Sequence, residues 1–284
     1  MGVYSKNGEE LNTAYNKSGS TINVAYDVNG NPLFLADLTV MTYNCRWFQD
    51  FNSQQEMQNA IISANNADII GFQEFSKNTS VPTVGANALT AYNNIQLSSH
   101  YNYNAMATKS LQLSNYSTAD FQTQDQYDIS TYSETRCWQK CYLSVKSKTI
   151  CWINTHLCYH TEASKHAQMA EVFALAEAED YVIITGDFNS TALSTAGSDY
   201  TGMFKQFVDA GYNLANSSPT VGFTKTWTDS ATATSTAEMT DPCDNIITSG
   251  NIDIVSVRFD PIKFDYLNGK SIDHIPIVVR LKIN

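Results

Sequence analysis

Ile183-Ile184-Thr185-Gly186-Asp187-Phe188-Asn189-Ser190 is the stretch on which the reading of this chain turns. A short apolar run of strand character meets a glycine, then a carboxylate, then a carboxamide two residues on. Residues two apart on a strand face the same side. Asp187 and Asn189 are therefore expected to leave the strand end aimed at one point. A carboxylate there can hold a metal or a hydroxide, and an amide can fix a phosphate oxygen. Taken alone, Gly-Asp-Phe-Asn also suits a surface turn, so the surrounding chain has to decide.

The same pattern recurs on both sides of it. Leu38–Tyr43 is an apolar strand that ends at Asn44, and Ala67–Gln73 is another that ends at Glu74. Ile150–Thr155 ends at His156, Asp244 stands before Asn245–Thr248, and Asp273 with His274 stands before Ile275–Leu281. One carboxylate at a strand end is ordinarily just solvated. Several in one chain supply oxygen ligands for a hard divalent cation, amides to orient phosphate, and two imidazoles for proton handling. Mg²⁺ takes one or two carboxylates plus water and substrate phosphate, and this inventory matches that need. It lacks the dense histidine set of zinc or non-haem iron sites.

Helical patterns separate some of these strands. Ser53 with Glu56 three residues later reads as a capping box, opening a helix with Met57, Ile61 and Ala64 along its inner face. Residues 75 to about 135 read as loop-rich. A Lys-Ser-Lys turn joins strands at Tyr142–Val145 and Ile150–His156. Thr161–Glu179 reads as a helix with Met169, Val172, Phe173 and Ala176 inward. Ser198 can cap another that carries Met203, Phe204, Phe207 and Val208 inward and stops at Gly211. Trp227, in a polar loop, reads as an anchor packed on the core. Strands often follow one another directly, which points to mixed sheets in a layered α/β sandwich rather than a doubly wound parallel sheet. Residues 1–36, rich in Asn, Ser, Gly and Tyr, read as an N-terminal extension that could serve as an attachment segment. Residues 37–284 form the globular unit.

Bulk properties narrow the function. The chain has 284 residues and a formal charge of −11, with 17 Lys and Arg against 28 Asp and Glu. That charge argues against a protein that coats nucleic acid by counterion release. It is compatible with an enzyme whose acidic site loads a cation and meets one phosphate at a time. No apolar run is long enough to span a bilayer, and the first ten residues lack the pattern of an export signal. The expectation is a soluble monomer, cytoplasmic or exported and particle-associated. Cys45, Cys137, Cys141, Cys151, Cys158 and Cys243 do not have zinc-ligand spacing. They read as buried thiols, with a disulfide among Cys137–Cys158 as the next option.

Taken together, Met41-Thr42-Tyr43-Asn44, Asp68–Glu74, Ile153-Asn154-Thr155-His156-Leu157, Thr185–Ser190, Asp244–Ile247 and Ile272-Asp273-His274-Ile275-Pro276 resemble, in order, the motifs of the endonuclease/exonuclease/phosphatase superfamily. The resemblance implies the DNase I-like fold, a four-layer α/β/β/α sandwich with the site at one end of the two sheets. It also implies Mg²⁺ or Mn²⁺ and hydrolysis of a phosphoester. Carried over by position, Glu74, Asn44 and Asp273 are the metal residues. Asp187 would orient or deprotonate the attacking water, and Asn189 would hold a phosphate oxygen. His274 would pair with Asp244 and act as base or electrostatic stabiliser, and His156 would stabilise or protonate the leaving oxygen. Arg136 is a candidate phosphate contact, weighed against an ordinary surface arginine. Tyr127 is a weaker neighbour of the site, and His100, His160 and His166 read as surface residues. The family's usual Ser-Asp-His is Ile272-Asp273-His274 here, which keeps the key pair.

The substrate stays open. A phosphodiesterase acting on DNA or RNA leads. A phosphatase or phospholipid phosphodiesterase of the sphingomyelinase kind is the alternative within the same chemistry, although no hydrophobic insertion hairpin is evident. A non-catalytic binding module on the same fold is the reading from another class; it expects loss of a site His or Asp, and none is lost.

Overall fold

Two strand–helix–strand units set the frame, and each places the ends of two parallel strands side by side. In the computed structural model, β5 (Leu38–Asn44) passes through α1 (Asn52–Asn65) into the parallel strand β6 (Ile69–Gln73). Likewise β11 (Lys148–His156) passes through α2 (Glu162–Ala176) into the parallel strand β12 (Val182–Asp187). Parallel neighbours require a crossover of this kind, whereas hairpins give antiparallel ones.

Antiparallel strands complete two six-stranded mixed sheets. The first runs Ile252–Phe259 (β15), Ile277–Ile283 (β16), β5, β6, Ala105–Thr108 (β8) and Asn94–Leu97 (β7). The second runs Asn213–Leu214 (β13), Asp244–Thr248 (β14), β12, β11, Cys137–Val145 (β10) and Ser114–Asp120 (β9). A short helix, α3 (Lys205–Asp209), precedes β13. In residues 1–35 the described backbone consists of two-residue pairings, β1 (Val3–Tyr4) with β2 (Glu10–Leu11) and β3 (Ala25–Tyr26) with β4 (Pro32–Leu33). Beyond these, the structure describes residues 36–45, 52–75, 89–98, 104–126, 129–130, 135–189, 202–217, 226, 242–259 and 273–284.

Strand alternation sorts the side chains into three apolar layers. Odd and even positions of a strand face opposite sides of its sheet. Val40, Ile69, Trp152, Ile183, Ile246 and Val279 meet between the sheets. Met41, Tyr43, Ile70 and Phe72 face outward and pack on Ile61 and Ile62 of α1. Cys151, Ile153, Val182 and Ile184 face outward from the second sheet, onto Met169, Val172 and Ala176 of α2 and Phe207 of α3. The layering is helix, sheet, sheet, helix, with the core divided among the three gaps.

Several local expectations shift. Strands β7, β8 and β9 lie within the stretch that reads as loop-rich, and pairing supplies their order: β8 on β6 and β9 on β10. Helix α1 begins at Asn52, so Ser53 lies inside it rather than ahead of it. Its buried face is Gln58, Ile61, Ile62 and Asn65, and Ala64 is exposed. The face includes these amides because Gln58 donates to the Cys45 carbonyl and Asn65 Oδ1 accepts from Arg258, while Asn65 Nδ2 bonds within the helix to the Ile61 carbonyl. The hairpin turn between β10 and β11 is Lys146-Ser147, both with positive φ (51° and 63°), as a tight two-residue hairpin demands. All six cysteines are buried thiols. Burial pushes Cys137 and Cys151 up to about 12 and Cys141 higher still. Ser198, Trp227, Tyr127 and His100 lie outside the described residues.

Between the apolar inner layer and the strand ends lies a polar rung. Asn154 and Thr185 are register partners on β11 and β12. Asn154 Nδ2 crosses the gap to donate to the Phe72 carbonyl (3.0 Å) and also bonds Gln139 Oε1 (3.0 Å) in its own sheet. Its Oδ1 accepts from Gln73 Nε2 at 2.8 Å and from Thr185 Oγ1 at 3.0 Å. Trp152 Nε1 donates to Thr185 Oγ1 at 3.0 Å, and Gln73 Nε2 also reaches Thr42 Oγ1 at 3.2 Å. Gly71 faces this group. A Cβ there would stand 2.0 Å from Thr185 Oγ1 and 2.5 Å from Asn154 Oδ1.

Thr185 and Asn154 are fixed by their bonds and cannot swing aside. Gly71→Ala is therefore expected to destabilise the protein by about 1–3 kcal/mol, the usual cost of overpacking. Urea unfolding checks it, and an unchanged midpoint would contradict the close approach of the sheets.

Candidate active site at the strand ends

Register delivers the site. His156, Asp187 and Asp244 end or begin three neighbouring strands of the second sheet and stand opposite one another in its ladders. On the facing sheet Asn44 is level with Gln73, and Glu74 follows directly. In β5, β11 and β12 the site residue lies two positions beyond a residue of the polar rung: Thr42 and Asn44, Asn154 and His156, Thr185 and Asp187. Each therefore points into the same gap between the sheets.

Asp187 is the hub. Its Oδ2 accepts from Asn44 Nδ2 at 2.9 Å and lies 3.4 Å from His156 Nε2 and 3.5 Å from His274 Nε2. Its Oδ1 accepts from the Asn189 backbone N–H at 2.8 Å. Asn44 Nδ2 also lies 3.3 Å from Glu74 Oε1, linking the two carboxylates. His274 Nδ1 bonds Asp244 Oδ2 at 2.9 Å. The Thr226 hydroxyl accepts from the Asp244 N–H (3.0 Å), and its carbonyl accepts from the Ile275 N–H (2.8 Å). Thr226 thus ties both partners of that pair.

Asn189 is placed differently from the simple alternation. Strand β12 ends at Asp187, so alternation does not extend two residues further. Asn189 takes φ 48°, and its Nδ2 donates to the Leu157 carbonyl at 2.8 Å. One amide hydrogen is thereby committed to fixing the neighbouring strand exit. Glu74 also lies in the left-handed region (φ 50°). That conformation is unfavourable for a long side chain, and such strain is a recurring mark of functional positions.

Charge is concentrated, with His156, Asp187, Asp244 and His274 buried and Glu74 and Asp273 half-buried by surface area. Burial raises the Glu74 carboxyl to about 7, with the Asp273 carboxylate adding to the effect. Burial likewise raises Asp187 to about 6, opposed by His274 and assisted by Asp244. For His274, burial works against the charged ring, but Asp244 and Asp187 outweigh it and lift the imidazole to about 10. For His156, burial, Arg136 and His274 act together and hold it well below its ordinary value. At neutral pH the first ring is a cation and the second is neutral.

The donor set fits a hard divalent cation. Glu74 and Asp273 bring carboxylate oxygens whose mutual repulsion a cation would relieve. Asp187, Asp244 and His274 offer further ligand atoms, all within 4.8 Å of one another. Asp244 Oδ1 is buried with no hydrogen bond among the described residues. His274, being protonated, is better matched to anion stabilisation than to metal ligation.

Asn44, Glu74, His156, Asp187, Asn189, Asp244, Asp273 and His274 lie at or beside this edge, and Arg136 joins them; Tyr127 lies outside the described residues. Arg136 is buried rather than on the surface, and its Nη1 lies 2.9 Å from both ring nitrogens of His156. His160 and His166 are exposed. Thr226 and the polar rung were not singled out. Of the rung residues, Thr42, Gln73, Asn154 and Thr185 sit inside the strand-end motifs, one or two places before the site residue, and that spacing was their available signal.

Comparison with known proteins agrees with this architecture. A family model described as the endonuclease/exonuclease/phosphatase family matches residues 41–262. The chain is similar in structure to an endonuclease/exonuclease/phosphatase protein of Bacteroides vulgatus, with a TM-score of 0.63 and 14% identity over 87% of this chain and 99% of that one. It is similar to the human Nocturnin catalytic domain solved with a bound sulfate anion, with a TM-score of 0.63 and 16% identity over 89% of this chain and 95% of that one. It is also similar to TDP2 of Caenorhabditis elegans, with a TM-score of 0.62 and 17% identity over 86% of this chain and 74% of that one. No curated protein sequence matches significantly.

The His274–Asp244 pair has a measurable signature. In metal-free protein, NMR titration of the ring protons should place His274 near pH 10, and Asp244→Asn should bring it down toward 6.5. Because the folded state holds that proton more tightly than the unfolded state, the pair's stabilisation is complete below about pH 6.5. It is lost as pH rises through about 10. Denaturant midpoints should fall across that window in the wild type and fall by less in Asp244→Asn, where Asp187 still faces the ring.

Proposed function

The chain belongs to the endonuclease/exonuclease/phosphatase family, and from that premise we propose that it is a divalent-cation-dependent phosphodiesterase whose substrate is DNA or RNA. One observation carries the reading: His156, Asp187 and Asp244 stand in register at one sheet edge, with Asn44 and His274 closing on Asp187 from the facing side.

Glu74, Asp273 and Asn44 would hold Mg²⁺ or Mn²⁺, which supplies positive charge against the phosphoryl oxygens. Asp187 orients the attacking water and accepts its proton; a carboxyl raised to about 6 is well matched to that task near neutral pH. Asn44 and the Asn189 backbone hold the carboxylate in place. The imidazolium of His274, held by Asp244, faces the scissile phosphate and stabilises the charge that develops there. That assignment favours the electrostatic role over the base role. Neutral His156, beside Arg136, faces the leaving oxygen and stabilises its developing charge by hydrogen bonding, the proton for that oxygen coming from solvent. The second amide hydrogen of Asn189 serves a phosphate oxygen. Residues 37–284 make up the catalytic unit, and residues 1–36 are assigned to attachment.

The charge of −11 favours a second reading, a small phosphoester or phospholipid in place of a long polyanion. Rates on plasmid DNA, an RNA, a mono-aryl phosphate and sphingomyelin separate the two.

Asp187→Ala and His274→Ala should each cut turnover of a bis-aryl phosphate with Mg²⁺ by about 10³-fold or more, with unchanged circular dichroism. Chelation should abolish wild-type turnover and added Mg²⁺ restore it. Near-wild-type rates in either variant would reject the assignment.

A further inference from the structure

Tyr159 is the exposed large hydrophobic side chain among the described residues, at 43%. It sits three residues past His156, in a loop pinned to the catalytic edge. The Leu157 N–H donates to the Asp187 carbonyl at 2.9 Å, and Asn189 Nδ2 donates to the Leu157 carbonyl at 2.8 Å. The Cys158 N–H donates to Gln168 Oε1 on α2 at 2.8 Å. Tyr159 thus follows two residues anchored on both sides, and its Cα lies within about 7 Å of that of Leu157. The ring of His160, also exposed, is 6.4 Å from the Tyr159 ring with 34° between their planes. Two exposed aromatic side chains thus follow directly on the strand exit that carries His156.

The charge balance gives this display a purpose. With 17 basic residues against 28 acidic ones, the chain has little with which to grip a phosphate backbone. Contacts that do not depend on phosphate charge would then add affinity beyond the one phosphate held at the site. Stacking of a base on an aromatic ring is such a contact, and it needs a base whose face is open, as in a single strand.

We propose that Tyr159, with His160 beside it, is a stacking platform for one unpaired base of a single-stranded segment whose phosphodiester lies at Asp187 and His274. The proposal rests on the phosphodiesterase reading above and adds the strandedness and the source of affinity.

The test compares an oligothymidylate with an abasic oligodeoxyribose phosphate of equal length. Binding is measured by anisotropy in Ca²⁺, and hydrolysis in Mg²⁺. Wild-type protein should bind the base-bearing strand about tenfold more tightly than the abasic one. Tyr159→Ala should lose that preference, and Tyr159→Trp should keep it. The preference should change little with salt, with a logarithmic slope of magnitude about one or less. A Tyr159→Ala protein that retains the preference overturns the proposal, as does a wild type with no preference or with a steep salt dependence. Wild-type hydrolysis of the abasic strand or of a bis-aryl phosphate reports on the phosphodiesterase reading separately. The platform can therefore fail while the chemistry stands.

Discussion

The buried carboxamide of Asn154 ties the two sheets to one another directly beneath the site. Its amide nitrogen reaches the Phe72 carbonyl of the first sheet, and its oxygen accepts from Gln73 of the first sheet and Thr185 of the second. Apolar side chains can slide over one another at little cost, so an apolar interface alone leaves the mutual placement of two sheets loosely specified. A buried polar group tolerates one arrangement, because any other leaves donors and acceptors unmet at about 1–3 kcal/mol each. The facing glycine lets the sheets come close enough for these bonds. The site lies immediately above, so the bonds that fix sheet to sheet also fix Asn44 and Glu74 against His156 and Asp187.

The electrostatics follow from that closeness. Folding gathers Glu74, Asp187, Asp244 and Asp273 around one gap and meets them with His274, Arg136 and amide donors. Two of the carboxyls are driven up in pKa by burial, so the cation-free site is destabilising for the fold once they ionise. This is the pattern of a site arranged for a cation and a phosphate. The strained backbone at Glu74 belongs to the same account.

Much of this was legible in the chain. A polar residue closing an apolar strand is visible without coordinates, and Asn44, Glu74, His156, Asp187 and Asp244 were found that way. Other features were not legible, for physical reasons. Ser114–Asp120 has too few apolar residues to announce a strand; pairing with β10 makes it one. The face of α1 includes Gln58 and Asn65, which hydropathy assigns to solvent and hydrogen bonding turns inward. The orientation of Asn189 depends on where the strand stops, a boundary that composition does not fix. Arg136 looks like a surface residue until the neutral ring of His156 is set beside it.

The six sealed thiols carry a wider consequence. A sulfur reacts as thiolate, and burial leaves almost none of that form where the shift is large. The sandwich therefore has no covalent cross-link whose reduction would loosen it and few sulfurs that an oxidant can reach. Its integrity rests on packing, hydrogen bonds and ion pairs, and no disulfide contributes to it.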